Sequence, residues 1–312
     1  PEFVTAGYVN RDFTLWERLL TQFRALWTYV QQILLPQGSG LGLFQDTYAI
    51  SRGLLSPPAT LLAVLGWIGL LAVAVRARRA VPALFTGVLL YLFGHAMESS
   101  IFALEPVFIH RNYLPSIGIL LAMAGTAAFL YRRRRESTAA FRRLAIGGLA
   151  ALLLLLWVTS FSYSFTWQSR SDMLAVAKQH HPDSVRVRMN AAMAALDRGR
   201  PSAAFREIEL MAENASDAEL PNVLVWKVSL YCAAQQPVPA ALLERIQSLS
   251  PRRIHQYVLE PLARVDIWLE HDKCGDFNTA EVAAALRNWL HGLEQEPGNQ
   301  RVWKYRYYVA KL

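Results

Sequence analysis

The sequence predicts an all-α protein in two parts: polytopic transmembrane helices, then a solenoid of paired helices. Three observations carry this. Residues 59–166 hold long runs of Leu, Ala, Val, Gly and aromatic residues, whereas 167–312 read as an ordinary helical sequence. Short arginine clusters, Arg76/Arg78/Arg79 and Arg132–Arg135 with Arg142/Arg143, abut the apolar runs. Strand-like alternation is almost missing from the second part, where apolar residues recur at helical spacing.

The 312 residues are enough for two domains. A composition that is 53% apolar and 18% charged excludes a disordered chain. The shift in composition sets the boundaries: 1–58 as an external interfacial helix and loop, 59–166 as a four-span membrane region, and 167–312 as an external repeat domain. Much of the net charge of +8 sits in the two arginine clusters. That placement signals topology and argues against a nucleic-acid partner, which needs a basic face with groove-reading or aromatic elements. The chain begins Pro1-Glu2-Phe3-Val4, with neither Met nor a signal peptide. It reads as a fragment of a longer polytopic protein.

The expected spans are Thr60–Val75, Val81–Met97, Leu114–Tyr131 and Leu144–Phe165, near the roughly 20 residues that a helical crossing requires. Each arginine cluster lies between two of them, and the positive-inside rule puts both clusters in the cytoplasm. The N-terminal 58 residues, the loop from Glu98 to Asn112 and everything after Trp167 then lie outside. In a Gram-negative cell this means an inner-membrane protein with its repeat domain in the periplasm.

Before the spans, Phe13–Leu35 places Leu15, Trp16, Leu19, Leu20, Phe23, Leu26, Trp27 and Val30 at helical spacing. Thr14 is the expected N-cap, with Glu17 as its capping-box partner; Pro36 and Gly38 end the helix. Glu17, Arg18, Arg24, Gln31 and Gln32 interrupt the apolar surface. Such a helix lies along the membrane interface or forms a tilted span. Residues 37–55, with Asp46, Tyr48 and Arg52, form a surface loop or a loop folding over an external site.

The loop between the second and third spans carries Glu98, Glu105, His110, Arg111, Asn112 and Tyr113 at the edge of a bilayer, where ionisable side chains are costly. A guanidinium there can grip a phosphate through paired hydrogen bonds. A neighbouring carboxylate orients that Arg or helps to hold a divalent metal ion. Arg111, His110 and Tyr113 are therefore the candidate phosphate ligands, with Glu98, Glu105 and Asn112 in support. The competing reading is an Arg–Glu pair that ties two helix ends together. No residue is assigned as catalytic, and no metal-ligand motif stands out.

Glu98-Ser99-Ser100 followed by His110-Arg111-Asn112-Tyr113-Leu114-Pro115 resembles bacterial membrane proteins with a C-terminal tetratricopeptide region. These are similar in turn to the transmembrane-and-tetratricopeptide-repeat protein O-mannosyltransferases, and Arg11-Asp12-Phe13-Thr14 to Pro36 resembles their external segment. The likeness covers about residues 10–125 by motif, and its most specific part is His110–Pro115. It implies a GT-C-type glycosyltransferase that takes sugar from a polyprenyl-phosphate donor for a protein or glycan acceptor, outside the cytoplasm. Such enzymes place a catalytic acid in a first external loop, which is expected to lie outside this chain. A membrane-anchored scaffold without chemistry is the alternative, and a polysaccharide polymerase or ligase a third option.

In the second part, Ser184–Asp217 fits one tetratricopeptide-type unit. Its helices are Val185–Arg198 and Ser202–Asn214, with a turn at Gly199 and Pro201. Asp172–Gln179, Val223–Ala234, Ala240–Ser248, Ile254–Glu270, Ala280–Leu293 and Arg301–Leu312 are further expected helices, irregular in period. Trp303, Tyr305, Tyr307 and Tyr308 either pack against further sequence or form a peptide-binding face. Cys232 and Cys274 either pair in an oxidising compartment or stay as separate thiols.

Overall fold

The computed structural model describes residues 7–8, 11, 13–35, 42, 44–133, 139–215, 219–248, 261–265 and 279–294. Among these it is helical, with no strand. The chain forms two compact units, one spanning Phe13–Met173 and the other built mainly from Leu174–Leu312.

The first unit begins with α1 (Leu15–Leu34). Its start follows the expected capping box. The Thr14 backbone N–H donates to Glu17 Oε2 at 2.7 Å, and the Glu17 N–H donates to Thr14 Oγ1 at 3.3 Å. This satisfies two donors that a helix start leaves open. Arg52 adds an ion pair, with Nη1 3.2 Å from Glu17 Oε2. Burial works against the Glu17 charge, but the Thr14 N–H and Arg52 outweigh it and hold the carboxyl below its usual range.

Next come α2 (Ala59–Ala77), α3 (Pro82–Gly94), α4 (Tyr113–Arg133) and α5 (Ala139–Ser164). Three helical segments are long and apolar enough to cross a membrane: Ala59–Ala77, Ile109–Arg133 and Arg142–Trp167. These match the first, third and fourth expected spans. The second does not form at full length. α3 has 13 residues, roughly 20 Å at 1.5 Å per residue, against a hydrocarbon core of about 30 Å. It stops at Gly94 because residues 95–104 turn to meet α1.

α3 and α4 pack through small residues. A Cβ on Gly87 would lie 2.7 Å from the Ala122 nitrogen, and one on Gly118 would lie 2.5 Å from the Gly87 carbonyl oxygen. Close backbone approach of this kind substitutes for the hydrophobic drive that lipid does not supply. The α1–α2 contact is made by two tryptophans. Trp27 Nε1 donates to the Ala63 carbonyl at 3.0 Å, and Trp67 Nε1 donates to that of Phe23 at 3.1 Å. Ser51 N donates to Thr21 Oγ1 at 2.8 Å and Arg24 Nη1 to the Ala49 carbonyl at 2.9 Å, so the segment after residue 44 folds back along α1.

After α6 (Arg170–His180), whose first residues belong to the first unit, the second unit contains α7 (Val185–Asp197), α8 (Pro201–Asn214), α9 (Leu220–Ala233), α10 (Ala240–Ser248) and α11 (Thr279–Glu294). Gly199, at φ +67°, turns the chain between α7 and α8, a left-handed conformation that glycine adopts without strain. Met189, Ala192, Ala204, Ile208 and Trp226 form one core. Leu224, Val228, Leu243, Leu286 and Trp289 belong to a second. Residues 261–265 are helical inside the expected Ile254–Glu270 helix; the rest of that helix, Arg301–Leu312 and the Trp303–Tyr308 cluster lie outside the described residues. Cys232 is fully buried and disulfide-bonded. Cys274, the other cysteine of the chain, lies outside the described residues.

Replacing Gly118 by leucine should force α3 and α4 apart and cost about 1–3 kcal/mol or more. Gly147, with nothing within 4 Å of its Cβ position, should tolerate the same change. Thermal unfolding of the two variants in detergent checks this. The lowered Glu17 carboxyl contributes stability that is present above the usual carboxylate range and is lost as pH falls through its lowered value. Acid unfolding of Glu17→Gln should lack that component.

Candidate functional site at the loop between α3 and α4

The site is assembled by a polar stripe on α1. Arg18, Gln22 and Tyr29 recur at a spacing that puts them on one side of the helix, opposite Trp16 and Phe23. All three are buried, while Trp16 and Phe23 are exposed. Pattern reading treats Arg18 and its polar neighbours as interruptions of an apolar surface. In the structure Arg18 is a core residue with 0% exposure. Its Nε donates to the Leu104 carbonyl at 3.0 Å, Nη1 to that of Ser100 at 2.5 Å, and Nη2 to that of Glu98. Gln22 extends the stripe. Its Nε2 donates to the Pro106 carbonyl at 2.9 Å, and its Oε1 accepts from Ser99 Oγ at 3.1 Å.

Tyr29 closes the far end of the loop. Its hydroxyl accepts from the Phe108 N–H at 2.7 Å, and its carbonyl accepts from Asn112 Nδ2 at 3.1 Å. Burial pushes the Tyr29 phenol up to about 12; the Glu98 charge adds to the shift, while the Phe108 hydrogen bond and Arg111 oppose it. His95, 1% exposed, lies between the rings of Tyr29 and Tyr91, each 4.9 Å away between centroids. Tyr91 donates its hydroxyl to the Leu26 carbonyl at 2.6 Å.

The sequence-derived candidates separate into three groups. Glu98 and Arg111 come together, with Arg111 Nε 3.2 Å from Glu98 Oε1. The Arg111 guanidinium also covers the Phe108 ring, 4.2 Å from its centroid. Asn112 turns inward and bonds His95 and α1, so its role is to hold the short 3-10 turn Ile109–Asn112 in place. His110 and Tyr113 are exposed, Tyr113 at 85%. His110 rests edge-on against Phe108, 5.3 Å between centroids. Glu105 is half-buried on the stapled loop. No group of three or more His, Cys, Asp or Glu side chains able to hold a metal ion occurs among the described residues.

Arg111 is thus oriented before any ligand arrives. Glu98 holds one edge of the guanidinium and Phe108 backs its plane, with the side chain 23% exposed. Among the described residues its terminal nitrogens form no hydrogen bond. A planar fork held in this way fits an oxyanion through two parallel N–H···O bonds.

The residues that sequence reasoning missed are Arg18, Gln22, Tyr29 and His95. The signal was present in the helical register of the first three, which face away from Trp16 and Phe23.

Comparison of the chain with protein-family models, with curated proteins and with solved structures finds no match.

Replacing Arg18 by methionine removes donors from three loop carbonyls and should cost about 3 kcal/mol or more, given 1.5–3 kcal/mol for a hydrogen bond to a charged group. Hydrogen exchange should show residues 98–108 losing protection before α2 and α4 do. Equal loss across the whole unit would count against a local staple.

Proposed function

We propose that the loop between α3 and α4 binds a lipid-linked phosphate, and that the chain is part of an integral membrane glycosyltransferase using a polyprenyl-phosphate sugar donor. The observation that carries this is the pre-oriented Arg111, held by Glu98 and Phe108, with its terminal nitrogens unbonded among the described residues. The exposed Tyr113 and His110 flank it in sequence at the start of the apolar α4, at a level where a lipid phosphate sits and aromatic residues favour the interface. The resemblance of His110–Pro115 to the glycosyltransferase signature supports the same reading. No residue of this chain is assigned as the catalytic acid or base.

In this reading the protein lies in a bacterial inner membrane with α6–α11 in the periplasm. The disulfide at Cys232 supports an oxidising compartment for those helices. The α7–α8 hairpin, turned at Gly199, supports a tetratricopeptide-like repeat that receives a protein or glycan acceptor. One observation favours the alternative of a membrane-anchored scaffold: Glu98 already neutralises Arg111, as a pair tying two helix ends together would.

Titration of a glycosyl polyprenyl phosphodiester in vesicles against the reconstituted full-length protein separates the two. Arg111→Ala should weaken binding on the order of 10–100-fold, and Arg111→Lys should recover only part of it, because an ammonium lacks the planar fork. Unchanged donor binding and sugar transfer in Arg111→Ala would remove Arg111 from the site and leave the scaffold.

A further inference from the structure

We infer that His95 is a proton-binding site coupled to Glu98, and that its charge sets how strongly the Arg111 face takes an anion. This rests on the phosphate-binding reading above and adds its regulation.

The argument starts at Asn112. Its Nδ2 donates to the Tyr29 carbonyl at 3.1 Å, which fixes the amide and leaves Oδ1 facing His95 Nε2 at 3.3 Å. An amide oxygen only accepts, so Nε2 carries a hydrogen. In a neutral imidazole the other nitrogen, Nδ1, is then a bare acceptor. Nδ1 is buried and, among the described residues, makes no hydrogen bond. What stands across from it is Glu98 Oε2, at 3.9 Å. Two acceptors face each other across a gap too long for a hydrogen bond, and one proton on Nδ1 turns that arrangement into an attraction.

The other groups around the ring do not supply that proton. Tyr29, stacked on it from α1, is a phenol pushed up to about 12 and engaged with the Phe108 N–H. Tyr91, edge-on from α3, directs its hydroxyl to the Leu26 carbonyl. Asn112 comes from the 3-10 turn and carries no charge. Glu98 is the charged group facing His95 from the loop, and Arg111 acts on His95 through it.

Glu98 is therefore shared. One oxygen holds Arg111 Nε and the other looks at His95. Protonation of His95 adds a positive charge behind the site and draws the carboxylate toward Nδ1, which loosens its hold on Arg111. Both effects favour an incoming anion. Deprotonation returns the full carboxylate charge to Arg111 and disfavours it. By linkage, a bound anion in turn favours the proton on His95.

The test measures affinity for a glycosyl polyprenyl phosphodiester in vesicles across the range in which an imidazole takes up its proton, from about pH 8 to about pH 5.5. The diester keeps a single charge over that interval, so the ligand adds no slope of its own. Wild-type protein should bind on the order of tenfold tighter at the acid end, within the usual range of coupling between sites. His95→Gln should flatten the profile. Glu98→Gln should flatten it too, because an amide there donates to Nδ1 and removes the need for a proton; it also guards against a misfolded His95 variant. Nitrogen chemical shifts of the ligand-free His95 ring should show Nδ1 gaining a proton as the pH is lowered. A flat wild-type profile, a slope that survives in His95→Gln, or a ring that stays neutral throughout would overturn the inference. A pH-dependent affinity that passes through His95 but ignores Arg111→Ala would instead sink the Arg111 reading and leave the proton site standing.

Discussion

The Arg18 guanidinium, buried against three backbone carbonyls, is the contact on which the first unit depends. A buried cation costs several kcal/mol unless its donors are met, and loop carbonyls away from water carry the same kind of penalty. Each demand here is answered by the other: the carbonyls of Glu98, Ser100 and Leu104 converge on Arg18. This explains why α3 ends early. Helix continuation would commit the Glu98 and Ser100 carbonyls to the helix ladder and leave Arg18 without them.

The small-residue seam lower down sets the remaining geometry. Gly87 against Gly118 fixes how closely α3 and α4 approach, and Gly94 meets Pro115 at the top, where a Cβ would lie 2.8 Å from its Cγ. That approach brings His95, just after α3, within hydrogen-bond reach of Asn112, just before α4. In lipid such packing has no hydrophobic drive between helices. The specific polar contacts at the head of the unit therefore carry more of the orientation: Trp27 to Ala63, Trp67 to Phe23 and Tyr91 to Leu26. All three tie α1 to its neighbours through carbonyls of helices already formed.

Most helices were legible because apolar period and end signals agree. Thr14 with Glu17 marks the start of α1, and Gly199 with Pro201 marks the turn between α7 and α8. What escaped was the meaning of polar residues inside an apolar pattern. Periodicity identifies a face by its apolar members and assigns Arg18 and Gln22 to solvent by default. Their burial follows from a partner loop more than seventy-five residues away in sequence, since Arg18 and Gln22 reach residues 98–106, and no local pattern encodes it. The sequence overstates the length of α3 for a related reason. The apolar run continues through Phe93, but helix length depends on where the backbone of the next residues is wanted. At the site, the Glu98–Arg111 pairing was readable from chemistry and proximity to span ends. The inward turn of Asn112 was not, because a buried amide next to an Arg looks the same in sequence as an exposed one.

Glu98 joins the two levels of organisation. Its backbone carbonyl belongs to the fold, where it accepts from Arg18. Its side chain belongs to the site, where it orients Arg111 and faces His95. The position of the carboxylate is therefore set by the staple beneath it, and Tyr29 links the same groups from the other end through Phe108 and Asn112. A disturbance of α1 is transmitted to Arg111 by two routes, through the Glu98 backbone and through the segment 108–112. A shift of α1 would by these routes move the Arg111 guanidinium although α1 does not hold it directly.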